Sequence, residues 1–214
     1  ARTSPPGDRK RAWGVTIFLV PTGDPGVAID PLEVLSGEDT NVVSYDDVRL
    51  GPEAVVGEVD RGFYSILAML NHERIGTAAM CVGWAQAAFD EVRAYALERE
   101  AFGGPIGRFQ AVQHHIARMY LLIEQARLMV YRAAWLLSQG RPCGLEATAA
   151  KAVAAENAFT ACDLGLQVLG GLGYTLESPV NRYWRRCRLY RLAPISNEMA
   201  LNFVAERLGM PRSF

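Results

Sequence analysis

The stretch of sequence that decides the fold is residues 62–98, which read GFYSILAMLNHERIGTAAMCVGWAQAAFDEVRAYALE. Mostly apolar side chains recur along it in steps of three and four, at Phe63, Ile66, Leu70, Glu73, Thr77, Met80 and Trp84. This spacing places them on one face of an α-helix. The stretch therefore predicts one helix from about Gly62 to Glu98, and a helix of that length is typical of a bundle.

Further helical segments follow this stretch. A second helix is predicted from about Phe109 to Ser138 and a third, rich in alanine, from about Leu145 to Leu169. Gly140 marks the end of the second helix, Ser178 as N-cap signals a fourth helix, and a last amphipathic helix follows Asn197. Short connections between long helices imply antiparallel neighbours, and hence an up-and-down four-helix bundle.

The residues before the long helix have the chemistry of strands. Residues 15–20 and 41–45 are rich in β-branched side chains, and the segment between them is punctuated by Gly and Pro, which predicts turns. A few strands form only a partial sheet. The predicted fold is mainly α, with a partial β-domain at residues 1–57 followed by a helical bundle domain at residues 58–214.

Composition narrows the class of protein. Half of the residues are apolar and 21% are charged, which is typical of an ordinary globular protein, and a net charge of −1 gives no overall attraction for nucleic acid. The four cysteines lack metal-type spacing, so reduced packing residues and a cytosolic compartment are expected. No apolar run approaches the roughly 20 residues of a membrane span. The polar start, residues 1–11, is interpreted as a surface loop inside a domain, so the chain is expected to be part of a longer protein.

Glu73 is the most informative single residue. Its position in the apolar seam of the long helix predicts a carboxylate turned toward apolar neighbours. Burial there would raise its pKa and prepare it as a general base. Two alternatives stay open: the seam is only partly covered, or Glu73 pairs with an arginine.

Other polar residues are weaker candidates. Asn71, His72 and Arg74 stand beside Glu73 and form a polar collar, although a surface arginine is commonly only solvated. His114 and His115 are adjacent on a helix and point about 100° apart, so they cannot chelate one metal ion, and no metal site is expected.

Two clusters near the end of the chain have a structural and a functional interpretation. The glycines at 170, 171 and 173 form either a helix C-cap or a turn where backbone approaches a ligand. The arginines at 182, 185, 186, 188 and 191, interleaved with aromatic residues, are the one patch that suits nucleic acid. Salt bridging to acidic helices is the favoured interpretation of that patch.

Several motifs occur together in a fixed order. They are FLVP at 18–21, PGV at 25–27, DDVR at 46–49, REAFGGPI at 99–106 followed by FQAVQ at 109–113, and QVLGGLGY at 167–174. In this order and spacing they resemble the acyl-CoA dehydrogenase family over essentially the whole chain. The resemblance implies an amino-terminal helical domain, a barrel-like middle β-domain and a carboxyl-terminal four-helix bundle, of which this chain would carry only the last strands and the bundle.

The resemblance also implies ligands and partners. FAD is the expected cofactor, contacted by Arg99, Phe102 and Gln110 from a neighbouring subunit and by Gln167, Gly171 and Ser196. Asn71 and Arg74 match positions that touch the acyl-CoA substrate. Electron-transfer flavoprotein is the expected electron acceptor, and a homodimer or homotetramer is the expected assembly. The segment alone is expected to be inactive.

The chain departs from the common family pattern at the base. Most members carry the catalytic base in a Tyr-Glu-Gly-Thr segment, and here residues 193–196 read APIS, with Pro194 at the base position. A minority, such as isovaleryl-CoA dehydrogenase, place the base on the first bundle helix, where Glu73 aligns. Arg186 and Glu198 also differ from the residues that are common at their positions.

The function that the resemblance implies is α,β-dehydrogenation of an acyl-CoA, with Glu73 removing the α proton. Three alternatives remain: a non-catalytic subunit of a mixed oligomer, a DNA-binding relative of the fold, and an oxidase that uses oxygen. Acyl chain length and branching are not readable from the sequence.

Overall fold

The computed structural model describes residues 1–5, 7, 12–37 and 40–212. Part of the polar start that was predicted as a surface loop, residue 6 and residues 8–11, lies outside the described residues. The chain divides into two compact units, Ala1–Leu70 and Asn71–Phe214. The predicted border between residues 57 and 58 stays a prediction.

The first unit contains short antiparallel strands. Strand β1 (Ile17–Phe18) pairs with β4 (Val55–Val56), and β2 (Val27–Leu32) pairs with β3 (Thr40–Tyr45). The prediction at residues 41–45 is confirmed, and the one at residues 15–20 shrinks to two paired residues.

The interpretation of the intervening segment as turns only was wrong, because β2 lies there and includes Pro31. Proline cannot donate to a ladder of hydrogen bonds, but the edge strands of a two-stranded ribbon tolerate it. The partial β-domain is therefore present, with two strands that the sequence did not indicate, β2 at Val27–Leu32 and β4 at Val55–Val56.

The helices follow the predicted order closely. Their bounds are α1 Gly62–Glu98, α2 Gln110–Ser138, α3 Gly144–Leu169, the single turn α4 Gly171–Tyr174, α5 Pro179–Tyr190 and α6 Asn197–Arg207. None of the helices in the described ranges is long and apolar enough to cross a membrane.

The helix ends show which capping signals operate. Ser178 precedes α5 as predicted. Its hydroxyl is buried without a hydrogen-bond partner, so it does not cap the backbone N–H groups of the helix. Ser196 is a true cap, because its hydroxyl accepts a hydrogen bond of 3.2 Å from the backbone N–H of Met199. Gly140 has a φ of +63° just beyond α2, which confirms it as the residue that ends this helix.

Small side chains allow the bundle helices to approach closely. A Cβ added to Gly165 on α3 would lie 3.0 Å from Val92, 3.3 Å from Val180 and 3.4 Å from Met119. These contacts come from α1, α5 and α2, so the four long helices meet in one layer of the core. The antiparallel four-helix bundle is thus confirmed, with an alanine-rich α3 at its centre.

The core face of α1 is not the seam that its spacing first suggests. The buried side chains of α1 include Ile75, Ala78, Val82, Ala85 and Val92. Of the predicted seam Thr77 is buried, whereas Phe63, Ile66 and Met80 are each more than 40% exposed. The helix was predicted correctly, but the bundle packs on a different side of it.

The cysteines behave as the sequence predicts. All four are buried free thiols, and burial is the largest cause that raises the pKa of Cys81. Buried thiols with a raised pKa are inert packing groups.

Candidate active site

An open groove of about 610 Å³ lies between α1, the end of α5 and the α5–α6 connection. Its lining residues are Glu73, Gly76, Thr77, Met80, Leu189, Tyr190, Ala193 and Pro194. Most of this surface is apolar, and Glu73 supplies its carboxylate. The groove therefore has the composition expected of a site for an apolar chain next to a general base.

The expected burial of Glu73 was wrong, because its side chain is exposed in this chain. The bundle packs on the face of α1 that carries Ile75 and Ala78, which leaves Glu73 at the rim of the groove rather than in the core. Of the two alternatives that the sequence left open, the structure agrees with the one in which the apolar seam of α1 is only partly covered. The carboxylate thus faces an apolar wall on one side and solvent on the other.

Arg74 turns toward the bundle. Its Nη1 donates a hydrogen bond of 3.2 Å to the hydroxyl of Thr148 on α3, and its guanidinium lies 5.8 Å from the ring of Phe203 on α6. Burial is the main cause that lowers the pKa of Arg74, and the nearby Glu73 carboxylate opposes that change. Arg74 is therefore held in place by α3 and α6 while its charge stays close to Glu73.

The predicted polar collar is divided between two sides of α1. Asn71 lies near the start of α3, where its side-chain amide is 3.8 to 4.0 Å from the position of a Cβ added to Gly144. His72 is exposed. Asn71 and Arg74 thus face α3 and α6, whereas Glu73 faces the α5–α6 connection.

The loop between α1 and α2 presents one aromatic ring to solvent. Phe102 has a φ of +52° and is 92% exposed. The loop around it is braced, since Ala101 N–H donates to Gly104 O over 2.9 Å and Ile106 N–H donates to Arg99 O over 2.8 Å. A left-handed conformation at a bulky residue is costly and concentrates at functional sites. Arg99 on this connection and Gln110, the first residue of α2, are also exposed.

Gln167 and Gly171 lie together at the glycine turn after α3. They line a depression of about 500 Å³ with Asp163, Leu166, Gly170 and Tyr174. Gly170 has a φ of +59°, which the turn requires. The site is therefore a shallow surface where backbone and an amide side chain are both accessible to a ligand.

Two residues that sequence reasoning missed hold this turn. Asn181 Nδ2 donates a hydrogen bond of 3.2 Å to Gly173 O, and Trp184 Nε1 donates one of 3.0 Å to Asp163 Oδ1. Both donors lie on α5, and no local pattern in the sequence links them to the turn. The turn is fixed from a neighbouring helix as well as by its own glycines.

Three of the five arginines at residues 182–191 pack on aromatic rings. Arg191 Nε lies 2.8 Å from Glu156 Oε2 and its guanidinium lies 5.2 Å from the ring of Phe159. Arg186 lies 5.9 Å from the ring of Trp84. The predicted salt bridging is confirmed at Arg191, and Arg186 stacks on an aromatic ring. No group of side chains that could hold a metal ion occurs within the described ranges.

The predicted site residues lie in separate places and do not form one continuous site. Glu73 lies in the groove, whereas Asn71 and Arg74 face α3 and α6. Arg99 and Phe102 lie in the α1–α2 connection, with Gln110 as the first residue of α2, and Gln167 with Gly171 lines the depression after α3. Ser196 caps α6 two residues after Pro194, which lines the groove. The residue roles remain predictions.

The fold and the groove together define a helical bundle domain with a carboxylate at the rim of an apolar cleft. The family model described as acyl-CoA dehydrogenase, C-terminal domain, matches residues 60–209. The chain belongs to the acyl-CoA dehydrogenase family.

Individual relatives agree with this assignment. The chain is 39% identical over 197 residues to a probable acyl-CoA dehydrogenase, YngJ, of Bacillus subtilis (strain 168), which covers 91% of this chain and 52% of that protein. The structure of butyryl-CoA dehydrogenase from Megasphaera elsdenii matches with a TM-score of 0.87 and 32% identity, over 93% of this chain and 53% of that one. A structure of PigA with FAD and proline matches with a TM-score of 0.86 and 25% identity, over 94% and 53% of the two chains. The chain thus spans about half the length of the relatives it matches.

Proposed function

We propose that this chain is the bundle part of an FAD-dependent acyl-CoA dehydrogenase, an oxidoreductase that acts on a CH–CH bond, with Glu73 as the catalytic base. The observation that carries the proposal is the place of Glu73, at the rim of an apolar groove whose opposite wall includes Pro194. Residues 193–196 offer no acid at the position where most family members carry the base, so the carboxylate of the groove comes from α1.

Proton removal is the step that the chain's own residues explain. An acyl chain laid along Met80, Leu189 and Pro194 would present the carbon next to the thioester to Glu73. The same chain would cover the exposed carboxylate and displace water from it. Desolvation disfavours the charged form and makes the carboxylate a stronger base in the complex. The exposure of Glu73 therefore agrees with the role.

Asn71 and Arg74 are proposed to hold the coenzyme A part of the substrate. Arg74 is preorganised by Thr148 and Phe203, so little side-chain entropy would be lost when it meets a polar or anionic group. Its place next to Glu73 would set the direction in which the thioester enters the groove.

FAD is proposed to contact two different surfaces of the chain. Phe102, exposed and held at a positive φ, has the pre-set geometry of a ring that stacks on a ligand. Arg99 precedes it in the same connection, and Gln110 begins α2. Gln167 and Gly171 fit a ligand through an amide and open backbone, and Ser196 stands near the groove wall. When bound, FAD supplies the acceptor for the hydride that leaves the β carbon.

The assembly and the electron acceptor follow from the same proposal. Residues of the α1–α2 connection are proposed to reach the cofactor of a neighbouring subunit, which requires a homodimer or a homotetramer. Electron-transfer flavoprotein is the proposed acceptor, and the cytosol is the proposed compartment.

A non-catalytic subunit of a mixed oligomer is the second candidate. The observation that favours it is Pro194, which cannot take a proton at the position of the common base. It differs from the first proposal in one respect, because it assigns no chemistry to Glu73.

The test is a titration of a full-length polypeptide that contains this chain. Purified with its flavin, it is titrated without oxygen with acyl-CoAs of graded length and branching while the visible spectrum is recorded. Bleaching of the flavin band by at least one acyl-CoA supports the enzyme. A flavin that binds but is not bleached by any acyl-CoA of the series supports the non-catalytic subunit.

A further inference from the structure

Lys151 is a buried ammonium at the centre of α3. The chain has 22 lysine and arginine residues, and only two of them, Lys10 and Lys151, are lysine. The side chain of Lys151 is fully buried. Burying an ammonium costs several kcal/mol unless polar partners compensate it, so its contacts indicate what it holds.

The partners of Lys151 lie in the α5–α6 connection. Its Nζ donates to the backbone carbonyl of Ile195 and, over 3.0 Å, to Asn197 Oδ1. Both acceptors are neutral, and desolvation is the main cause that lowers the pKa of Lys151. The ammonium therefore fixes the direction of a carbonyl group and of an amide, which an apolar side chain of similar length could not do.

The same connection is held at its other end. Asn197 N–H donates a hydrogen bond of 3.0 Å to Arg191 O, and Arg191 forms the 2.8 Å ion pair with Glu156 on α3. The segment from 192 to 196 is thus tied to α3 at both ends. Ala193 and Pro194, which lie between the two ties, form the wall of the groove.

We propose that Lys151 is a positioning residue for the acyl groove. By holding the carbonyl of Ile195, it sets the place of the Ala193–Pro194 wall relative to Glu73 on α1. Lys151 does not line the groove, so it acts through the wall and not on the substrate. The inference rests on the proposed function for its consequence in catalysis, whereas the tie itself is independent of any activity.

The hydrogen bonds from Lys151 to the α5–α6 connection, which form the tie, are tested first by a measurement that does not depend on enzyme activity. The chain is labelled with ¹⁵N at lysine Nζ, which gives signals from only two residues, and Lys151→Met identifies the signal of Lys151. A slowly exchanging ammonium signal that shifts in Asn197→Ala supports the tie. Exchange with water as fast as in free lysine overturns it, whatever the enzyme does.

The consequence for the groove is tested in the full-length polypeptide with its flavin. Lys151→Met is expected to raise KM for the preferred acyl-CoA about tenfold or more, because small misplacements of a binding wall are costly. The pH dependence of kcat is expected to stay that of the wild type, since Glu73 is unchanged. Asn197→Ala removes one of the two acceptors and is expected to raise KM less.

The matched control is Cys162→Ala, which removes another buried side chain of α3, one that contacts Cys187 rather than the connection. It is expected to lower stability and leave KM unchanged. If the wild type is active and Lys151→Met and Asn197→Ala have the same KM as the wild type, the positioning role is overturned and the proposed function is not. If Lys151→Met does not fold, the KM of Asn197→Ala decides. An inactive wild type overturns the proposed function, and the ammonium signal still tests the tie.

Discussion

Glu73 on α1 and Pro194 in the α5–α6 connection line the same groove. The two positions are those at which members of this family are expected to carry the base, and here only one of them has an acid. Among the residues that line the groove, Glu73 alone bears a carboxylate. The proposed proton transfer in the groove therefore depends on the carboxylate of Glu73.

Replacement of that side chain tests the dependence directly. Glu73→Gln keeps the shape of the side chain and removes its basicity, so kcat with acyl-CoA is expected to fall about 10²- to 10⁴-fold, with flavin content unchanged. Turnover is followed by reduction of an artificial electron acceptor. Glu91→Gln, at an exposed position of the same helix, is the matched control and is expected to keep wild-type turnover. Wild-type activity in Glu73→Gln would remove Glu73 from the chemistry.

The ring of Phe102 is expected to serve cofactor binding and not stability. Phe102→Asn removes an exposed ring and places there a residue that tolerates a positive φ, so the free energy of unfolding is expected to stay within about 1 kcal/mol of the wild type. The dissociation constant for FAD is expected to rise, as measured by fluorescence of the free flavin. Gln113→Ala, on the first turns of α2, is the comparison. Unchanged FAD affinity in Phe102→Asn would contradict the proposed contact.

Two glycines in helices are expected to respond in opposite directions. A Cβ at Gly165 meets Val92, Val180 and Met119 within 3.4 Å, so Gly165→Val is expected to lower the free energy of unfolding by about 1–3 kcal/mol. A Cβ at Gly83 on α1 meets nothing within 4 Å, so Gly83→Ala is expected to raise it by about 0.5–1 kcal/mol. Urea denaturation of both variants checks the layer in which the four long helices meet. A stabilising Gly165→Val would show that this layer is looser than the structure indicates.

The helices were predictable because their signals are local. Glycine and proline mark the ends of α2 and the start of α5, and a 3.6-residue period identifies α1. The core face of α1 was not predictable in this way, because both faces are apolar: the exposed face carries large side chains such as Met80, and the buried face carries small ones such as Ala78 and Ala85. Packing against an alanine-rich neighbour selects the small face.

The candidate site was predictable only in part. Glu73 and the glycine turn stood out by position, but the tie from Lys151 to Ile195 joins residues 44 positions apart and leaves no mark in either segment. Strand β2 was missed for a related reason, since its pairing with β3 outweighs the local turn signal of Pro31. Contacts distant in sequence decide both cases.

The arginines of α5 are expected to bind no DNA at physiological salt. Arg191, which directly follows α5, is paired with Glu156 and stacked on Phe159, and Arg186 lies over Trp84, so these charges are already engaged by other residues of the chain. As the salt concentration rises, the protein is expected to elute from a DNA column before about 0.15 M, because few charges are free to displace counterions from the phosphates. Retention above that concentration that weakens in Arg182→Ala, at the exposed arginine of α5, would support the DNA-binding alternative.

The first turn of α6 is expected to lose stability in acid through Glu198. Hydrogen bonds from its own backbone N–H and from the Ser196 hydroxyl hold the pKa of this carboxyl below its ordinary value of 4.5. A depressed pKa in the folded state contributes stability that is present above the ordinary pKa and is lost as pH falls through the folded one.

The difference in unfolding midpoint between wild type and Glu198→Gln is therefore expected to favour the wild type near neutral pH. It is expected to shrink as the pH falls through the ordinary pKa of 4.5 and then through the lower pKa of the folded state, below which Glu198 is protonated in both states. Urea titrations of both proteins at a series of pH values measure it. Ser196→Ala, which removes one of the two donors, is expected to narrow the pH range of the effect. A difference that does not change with pH would show that the first turn of α6 does not hold the Glu198 carboxylate in its charged form.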